Sequence, residues 1–558
     1  ASPGMKTLQL LDAAAVAAKA VARLKPSRGG GPEDVVPGAA KAAAQTASEA
    51  EAAAAVLQAG AVVANELDGR RCCMLAHHVL RVRHPCGLVI HHDATALPEL
   101  GIFDRVLCDV PCSGDGTIRK APQLFTGWRP NRSNALHRLQ LRIACAGAAR
   151  LRSGGLMVYS TCALSPVENE AVVAAMLQRA GGALELVDCD DLLPGLPRRP
   201  GLEDWEVCAG ARHCKVVARL RNPTEAAERD LDVPASAWPP EAGEVATQLG
   251  LPGSLQRCWR LYPHLGDGGG FFVAMLRRCG SEPLPSDFIP PPPPAASGAT
   301  GEEEDAKDAE EGLPEDAICK ETLPASQKDA GAFVQAGTQE HSRVLVEEAR
   351  EFYGLDALPL SNFFVRTEGE GRNVHLVSDA VRDVLTTSPG IRSLVGGVRV
   401  FDDNRFLKSS GCRCRLVQEG VRWLAPLMRR RCCTASPQEM LLLLEGEMVR
   451  FSQLQATSEF RASLEAVDSQ GSVAVVCHFS QDASICAAAE RGAECVTLFV
   501  NQHEQRELRE SLCEFFVEEA KAKHNIPSMV DGFQPSKREV QPRIQPPETS
   551  QMSYECRS

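Results

Sequence analysis

The chain has 558 residues, 44% of them hydrophobic, and a formal charge of -12, long enough for two or three domains with cores of their own. No apolar run approaches the roughly 20 residues that a membrane helix needs, so neither a spanning segment nor a membrane partner is expected. The 22 cysteines occur singly or in adjacent pairs with no CxxC spacing, which argues against both a disulfide framework and a structural zinc site.

The opening ASPGMKT lacks an initiator Met and starts inside what reads as a motif, so the expectation is a chain incomplete at its N-terminus. Its glycine lies before the first helix, where backbone N–H groups can approach a charged cofactor. The order G-x-x-x-x-G-K is absent, which disfavours a nucleoside triphosphatase. Residues 13–56 are Ala-rich and broken by SRGGGPEDVVPG; they read as a helical low-complexity insertion with no function. Short apolar runs then follow in turn: AVVANE to Glu66, GLVIHHD to Asp93, DRVLCD to Asp109, GLMVYST to Thr161 and ALELVD to Asp188. A helix is predicted over Ser133 to Leu151 between the third and fourth. This alternation predicts a parallel sheet with crossover helices. Ligands of such sheets sit outside the carboxyl ends of the strands, which singles out Glu66, Asp93 and Asp109, and a carboxylate there suits a ribose diol.

Two cysteines stand apart. Cys112 opens the exposed turn after the DRVLCD strand, and Cys162 follows the GLMVYST strand, so neighbouring loops carry both to one edge of the sheet. For Cys72, Cys86, Cys108 and Cys145 burial is expected. After Cys162, SPVENEAVV offers Ser165 as N-cap, Pro166 at the first helical position and Glu168 three residues past the cap. That helix start and the basic residues nearby are both expected to lower a thiol pKa. From Gly116 to Val167 there are eight Lys or Arg and not one carboxylate, a bias that favours a phosphate-facing surface over an ordinary solvated face. The opposite bias, nine carboxylates and one Lys over Glu302 to Asp316, follows a Pro-rich run and predicts a disordered linker.

DVPCSGDGT (Asp109 to Thr117) and YSTCALSPVENEAVV (Tyr159 to Val173) resemble the paired Pro-Cys and Thr-Cys motifs of the Sun-domain RNA cytosine-C5 methyltransferases. SPGMKT, ANELDGRR, HHDATALP and RLYPHLGDGGGFFVAML extend the likeness, and REFYGLDALPLSNFFVRTEG and RLVQEGVRWLAPL are similar to the C-terminal PUA-like region of the eukaryotic multisite tRNA enzymes. The resemblance implies an α/β fold: a Rossmann-like class I methyltransferase sheet over 1–280, its first strand missing, and a smaller α+β PUA-like domain over 346–500. A disordered linker over 281–345 and a helix with a disordered tail over 501–558 complete the expected organisation.

The activity implied is transfer of a methyl group from S-adenosyl-L-methionine to C5 of cytosine in RNA, tRNA first among the classes. Cys162 would add to C6 of the base, Asp109 would bind the base near N3, and Cys112 would permit release of the methylated product. Cofactor contacts would come from Ala1, Ser2, Pro3, Gly4, Met5, Lys6, Glu66, Asp93 and Asp109; at Glu66 the family usually has Asp. No metal is implied, and the family places such enzymes in the nucleus, with the cytoplasm as a second compartment. Oligomeric state leaves no trace. Two other readings stand beside this one: a non-catalytic RNA-binding protein that keeps the fold, and a DNA cytosine methyltransferase that would use the Pro-Cys thiol as nucleophile.

Overall fold

A computed structural model describes residues 4–24, 50–58, 60–126, 128–209, 218–240, 254–292, 332–367, 373–388, 390–404, 411–446, 448–479 and 484–523. Helix α1 (Met5–Leu24) is followed by β1 (Val62–Asn65), α2 (Gly69–Val82) and β2 (Gly87–Ile90), with β1 and β2 paired in parallel. Asp68 starts α2 by accepting the backbone N–H of Arg71 at 2.7 Å, the usual service of an N-cap carboxylate. Leu11 of α1 and Leu75, Ala76 and Val79 of α2 cover Ala64 and Val89. Leu88 and Ile90 point the other way, against Phe364, Val381 and Leu385. With both faces covered, β2 can be apolar at every position, as GLVI is.

The second sheet is built on β3 (Phe103–Asp109) and β4 (Leu151–Thr161), parallel neighbours joined through α3 (Pro130–Ala148). After α4 (Glu170–Ala180) come β5 (Leu184–Leu186), β6 (Trp259–Leu261) and β7 (Phe271–Arg278); β7 runs antiparallel to β4, β5 and β6. Leu141 and Ala144 of α3 and Val172 and Met176 of α4 pack on Met157, Tyr159, Phe272 and Leu276. Each such side chain taken fully out of water contributes about 1.5–3 kcal/mol.

The α/β class and the alternation of strands and helices are as expected; among the described residues these strands form two sheets rather than one. Among the described residues β1 and β3 share no ladder; each is the outer strand of its own sheet. Apolar runs identify strands, not their neighbours. α1 bridges the two sheets, burying Leu11 in the first and extending Lys6 to Asp109 at the end of β3.

Beyond 332 the chain forms a five-stranded antiparallel sheet, in the order β8 (Phe333–Gln335), β9 (Phe363–Arg366), β10 (Asn373–Leu376), β12 (Val398–Asp403) and β13 (Cys414–Leu416). Helix α5 (Glu340–Tyr353) lies between β8 and β9. The intervening β11 (Ser393–Gly396) leaves that sheet and pairs antiparallel with β2. A further five-stranded sheet runs from Cys432–Thr434 to Cys495–Leu498, and α6 (Gln502–Lys523) follows.

Three boundaries shift from the sequence reading. β8 and the start of α5 lie ahead of the predicted boundary at 346, with Phe333 and Leu345 already in buried clusters. Phe288 is 2% exposed and its carbonyl accepts the Arg179 guanidinium, so the linker starts after 281; its acidic centre and the tail beyond 523 lie outside the described residues. The Ala-rich insertion is not wholly without a role, since Ala53, Val56 and Leu57 pack into the same core as Leu345, Val346 and Tyr353.

Candidate active site

β3 and β4 run side by side with Asp109 opposite Ser160, so the loops that leave them start as neighbours. The Sγ atoms of Cys112 and Cys162 are 3.2 Å apart. Cys112 is half-buried rather than exposed. Backbone bonds fasten the two loops together: Gly116 N–H donates to Cys162 O at 2.9 Å, and Gly270 N–H, just ahead of β7, donates to Gly116 O at 2.7 Å. Asp115 Oδ1 accepts the N–H of Leu164 at 2.6 Å. A Cβ on residue 116 would stand 2.6 Å from Cys162 O and 2.7 Å from Gly270 O, so only glycine fits where three segments meet.

The tripeptide Glu168-Asn169-Glu170 organises both loops from behind. Glu168 Oε2 accepts the N–H of Ser113 at 2.8 Å and Gln140 Nε2 at 3.0 Å, while Oε1 accepts Ser133 Oγ at 2.7 Å. Gln140 Nε2 also donates to Pro111 O at 2.8 Å. The residues on either side of Cys112 are thus both held. Asn169 does the same for Cys162, accepting Thr161 Oγ1 at 2.6 Å and donating to Ala163 O at 3.0 Å. Glu170 pairs with the buried Arg260, whose Nη1 donates to Leu164 O at 2.9 Å. All three side chains are fully buried. The predicted helix cap is therefore corrected: α4 starts at Glu170, Ser165 caps nothing, and Glu168 serves tertiary contacts. The sequence signal was two carboxylates in a run otherwise apolar; read as local capping, it concealed their burial.

The two thiols are driven apart electrostatically. A hydrogen bond from Cys112 brings the Cys162 thiol down to about 7, against burial, which works the other way. Cys112 is pushed well above the usual thiol range by donating that bond, by burial, and by the negative charges of Cys162 and Glu168. So a thiol is lowered, at Cys162, but its main cause is the partner thiol rather than arginines or a helix start. Lys6 Nζ lies 2.5 Å from Asp109 Oδ1 and 4.8 Å from the centre of the Phe271 ring. Ser160 Oγ donates to the same Asp109 oxygen at 3.1 Å. Cys162, Cys112, Asp109 and Lys6 are brought together as one constellation.

Glu66 and Asp93 stand at the ends of β1 and β2, in the other sheet, and are engaged locally. Glu66 Oε1 accepts Asp68 N–H and Arg71 Nη2, both at 3.0 Å; Asp93 Oδ1 accepts Thr95 N–H at 2.8 Å. Gly4 immediately precedes α1 and Met5 opens it, whereas Ala1, Ser2 and Pro3 lie outside the described residues. Cys72, Cys86, Cys108 and Cys145 are core residues, as expected. The basic stretch is less free than its composition suggests. Arg119, Arg138, Arg150 and Arg152 pair with Asp267, Asp232, Glu99 and Asp104, all contributed by other segments. Among the described residues no group of three or more His, Cys, Asp or Glu is arranged to hold a metal ion.

The family model described as 16S rRNA methyltransferase RsmB/F matches residues 41–191, and that described as NSUN2 Pre-PUA domain matches residues 338–429. Over residues 41–191 the chain is similar to the RsmB/F family. It is 32% identical over 445 residues to the Schizosaccharomyces pombe multisite-specific tRNA:(cytosine-C(5))-methyltransferase trm4b, covering 73% of this chain and 62% of that protein. A tRNA (cytosine(34)-C(5))-methyltransferase of Drosophila melanogaster is 34% identical, covering 65% and 50%. The multisite-specific enzyme of Saccharomyces cerevisiae is 31% identical, covering 69% and 55%. The chain thus spans between 50% and 62% of the length of these relatives. Its Pro-Cys and Thr-Cys motifs fall within the matched RsmB/F segment, as does all of the Glu168-Asn169-Glu170 cradle.

Proposed function

We propose that the protein methylates C5 of cytosine in tRNA through a covalent adduct on Cys162. The observation that carries the reading is the thiol pair, two sulfurs 3.2 Å apart and polarised in opposite directions, beside the Lys6–Asp109 pair. Cytosine C5 is a weak nucleophile until a thiolate adds to C6, and a thiol brought down to about 7 supplies that thiolate near neutral pH. Asp109 and Lys6, paired with each other, would act on the charge that the ring gains on addition, where fixed charges act most strongly. Cys112, held neutral beside Cys162, would serve release of the adduct.

The residues suit S-adenosyl-L-methionine in chemical type: Glu66 and Asp93 are carboxylates at successive strand ends, placed for ribose hydroxyls and an exocyclic amine. When bound, that cofactor supplies an electrophilic methyl group. A base must leave its stack to reach Cys162, and the exposed Lys120 and Arg129 with Trp128 offer phosphate contacts and a stacking surface beside the Cys112 turn. The nucleus is the proposed compartment, on family likeness alone.

Trapping tests the reading. With the cofactor and tRNA containing 5-fluorocytosine, the protein should form an adduct stable in denaturing gels, lost in Cys162→Ala. Cys112→Ala should accumulate adduct on ordinary tRNA. An adduct that survives Cys162→Ala, or none in any variant, rejects it.

A further inference from the structure

Three groups face Cys112 from the elements around it: Cys162 after β4, the phenol of Tyr159 within β4, and Glu168 ahead of α4. Only Glu168 brings a charge independent of the thiol pair. It lies one residue's backbone from Cys112, through the Ser113 N–H at 2.8 Å, and its three donors, Ser113 N–H, Gln140 Nε2–H and Ser133 Oγ–H, are all neutral groups. The carboxylate is fully buried, so water does not screen it and its field reaches the neighbouring sulfur at low effective dielectric. A mere helix cap would not need such a position, and the helix here does not use it.

We propose that Glu168 is a positioning residue that assigns the two cysteines their different roles: it clamps the Cys112 turn and disfavours a second negative charge on that sulfur, leaving the nucleophilic charge to Cys162. This deepens the methyl-transfer reading and rests on it for its catalytic meaning, but its test needs neither RNA nor cofactor. In the Cys162→Ala background, where Cys112 titrates without its thiol partner, iodoacetamide labelling of the Cys112 peptide is followed against pH by mass spectrometry. Adding Glu168→Gln, which keeps size and an acceptor, should move the labelling midpoint down by about one pH unit or more, the effect of removing a like charge at short range. Adding Ser133→Ala instead loosens the same clamp but keeps the charge, and should not lower the midpoint. The melting temperature and the labelling of Cys279, remote from the site, report whether each variant is folded. A midpoint unchanged by Glu168→Gln, or lowered equally by Ser133→Ala, overturns the assignment while leaving the adduct experiment untouched. Failure of the protein with both cysteines intact to form the adduct, together with a shifted midpoint, would instead count against the methyl-transfer reading alone.

Discussion

At the scale of single residues, one contact does most to separate two chemically identical side chains. Thiolate reacts with alkylating agents and thiol does not, so a thiol brought down to about 7 should be half-maximally reactive near that pH and should gain rate as pH rises through it. Removing the donor in Cys112→Ala takes away the largest cause of the lowering. The Cys162 midpoint should then rise toward the value of about 8.5 for a free cysteine; peptide-level labelling rates against pH measure both. A wild-type midpoint that stays above 8 would contradict the polarisation described here. Gly116 offers a second residue-scale test. Adding one methyl group at 2.6 Å from a carbonyl of the Cys162 loop forces backbone apart, and Gly116→Ala should cost about 1–3 kcal/mol, read as a lower denaturation midpoint together with a weakened thiol pair.

At the scale of elements, β3, β4 and α4 are rigid supports and the chemistry hangs from their ends. The loop after β4 is secured by the buried Arg260–Glu170 pair, with Arg260 also holding Leu164 O. Removing one partner of a buried pair leaves the other charge uncompensated, at a typical cost of about 3–5 kcal/mol. Arg260→Leu should therefore be strongly destabilising in a denaturant titration, and the double variant Arg260→Leu with Glu170→Leu should recover part of the loss. Equal destabilisation in single and double variants would show that the pair acts through packing rather than charge. The element-level reading of the sequence succeeded for β1 to β5, whose apolar runs are self-contained signals. It failed at α4, where Glu168 matches a capping pattern locally while its actual donors come from positions 113, 133 and 140, which no window around residue 168 includes.

For the whole molecule, the C-terminal region is not an appendage joined by a linker. β11 completes the sheet of β1 and β2, Trp423 Nε1 donates to Arg83 O at 2.6 Å, and Ala53, Val56 and Leu57 fill a core made mostly by residues beyond 332. Expressed alone, residues 1–292 should expose the edge of β2 together with Leu88 and Ile90, and an uncovered apolar edge favours aggregation. Co-expression with residues 332–523 should restore a soluble complex that purifies as one species. Recovery of 1–292 as a monodisperse monomer would mean that the interface contributes little.

The sequence alone determined the strands, the two motif cysteines and the family likeness, because these are written in contiguous residues whose spacing is fixed by the chain. Only the tertiary structure decided which strand neighbours which, how close the two thiols stand and which groups Glu168 binds. Those outcomes depend on groups far apart in sequence that share a few ångströms of low-dielectric space, and periodicity carries no information about such distances.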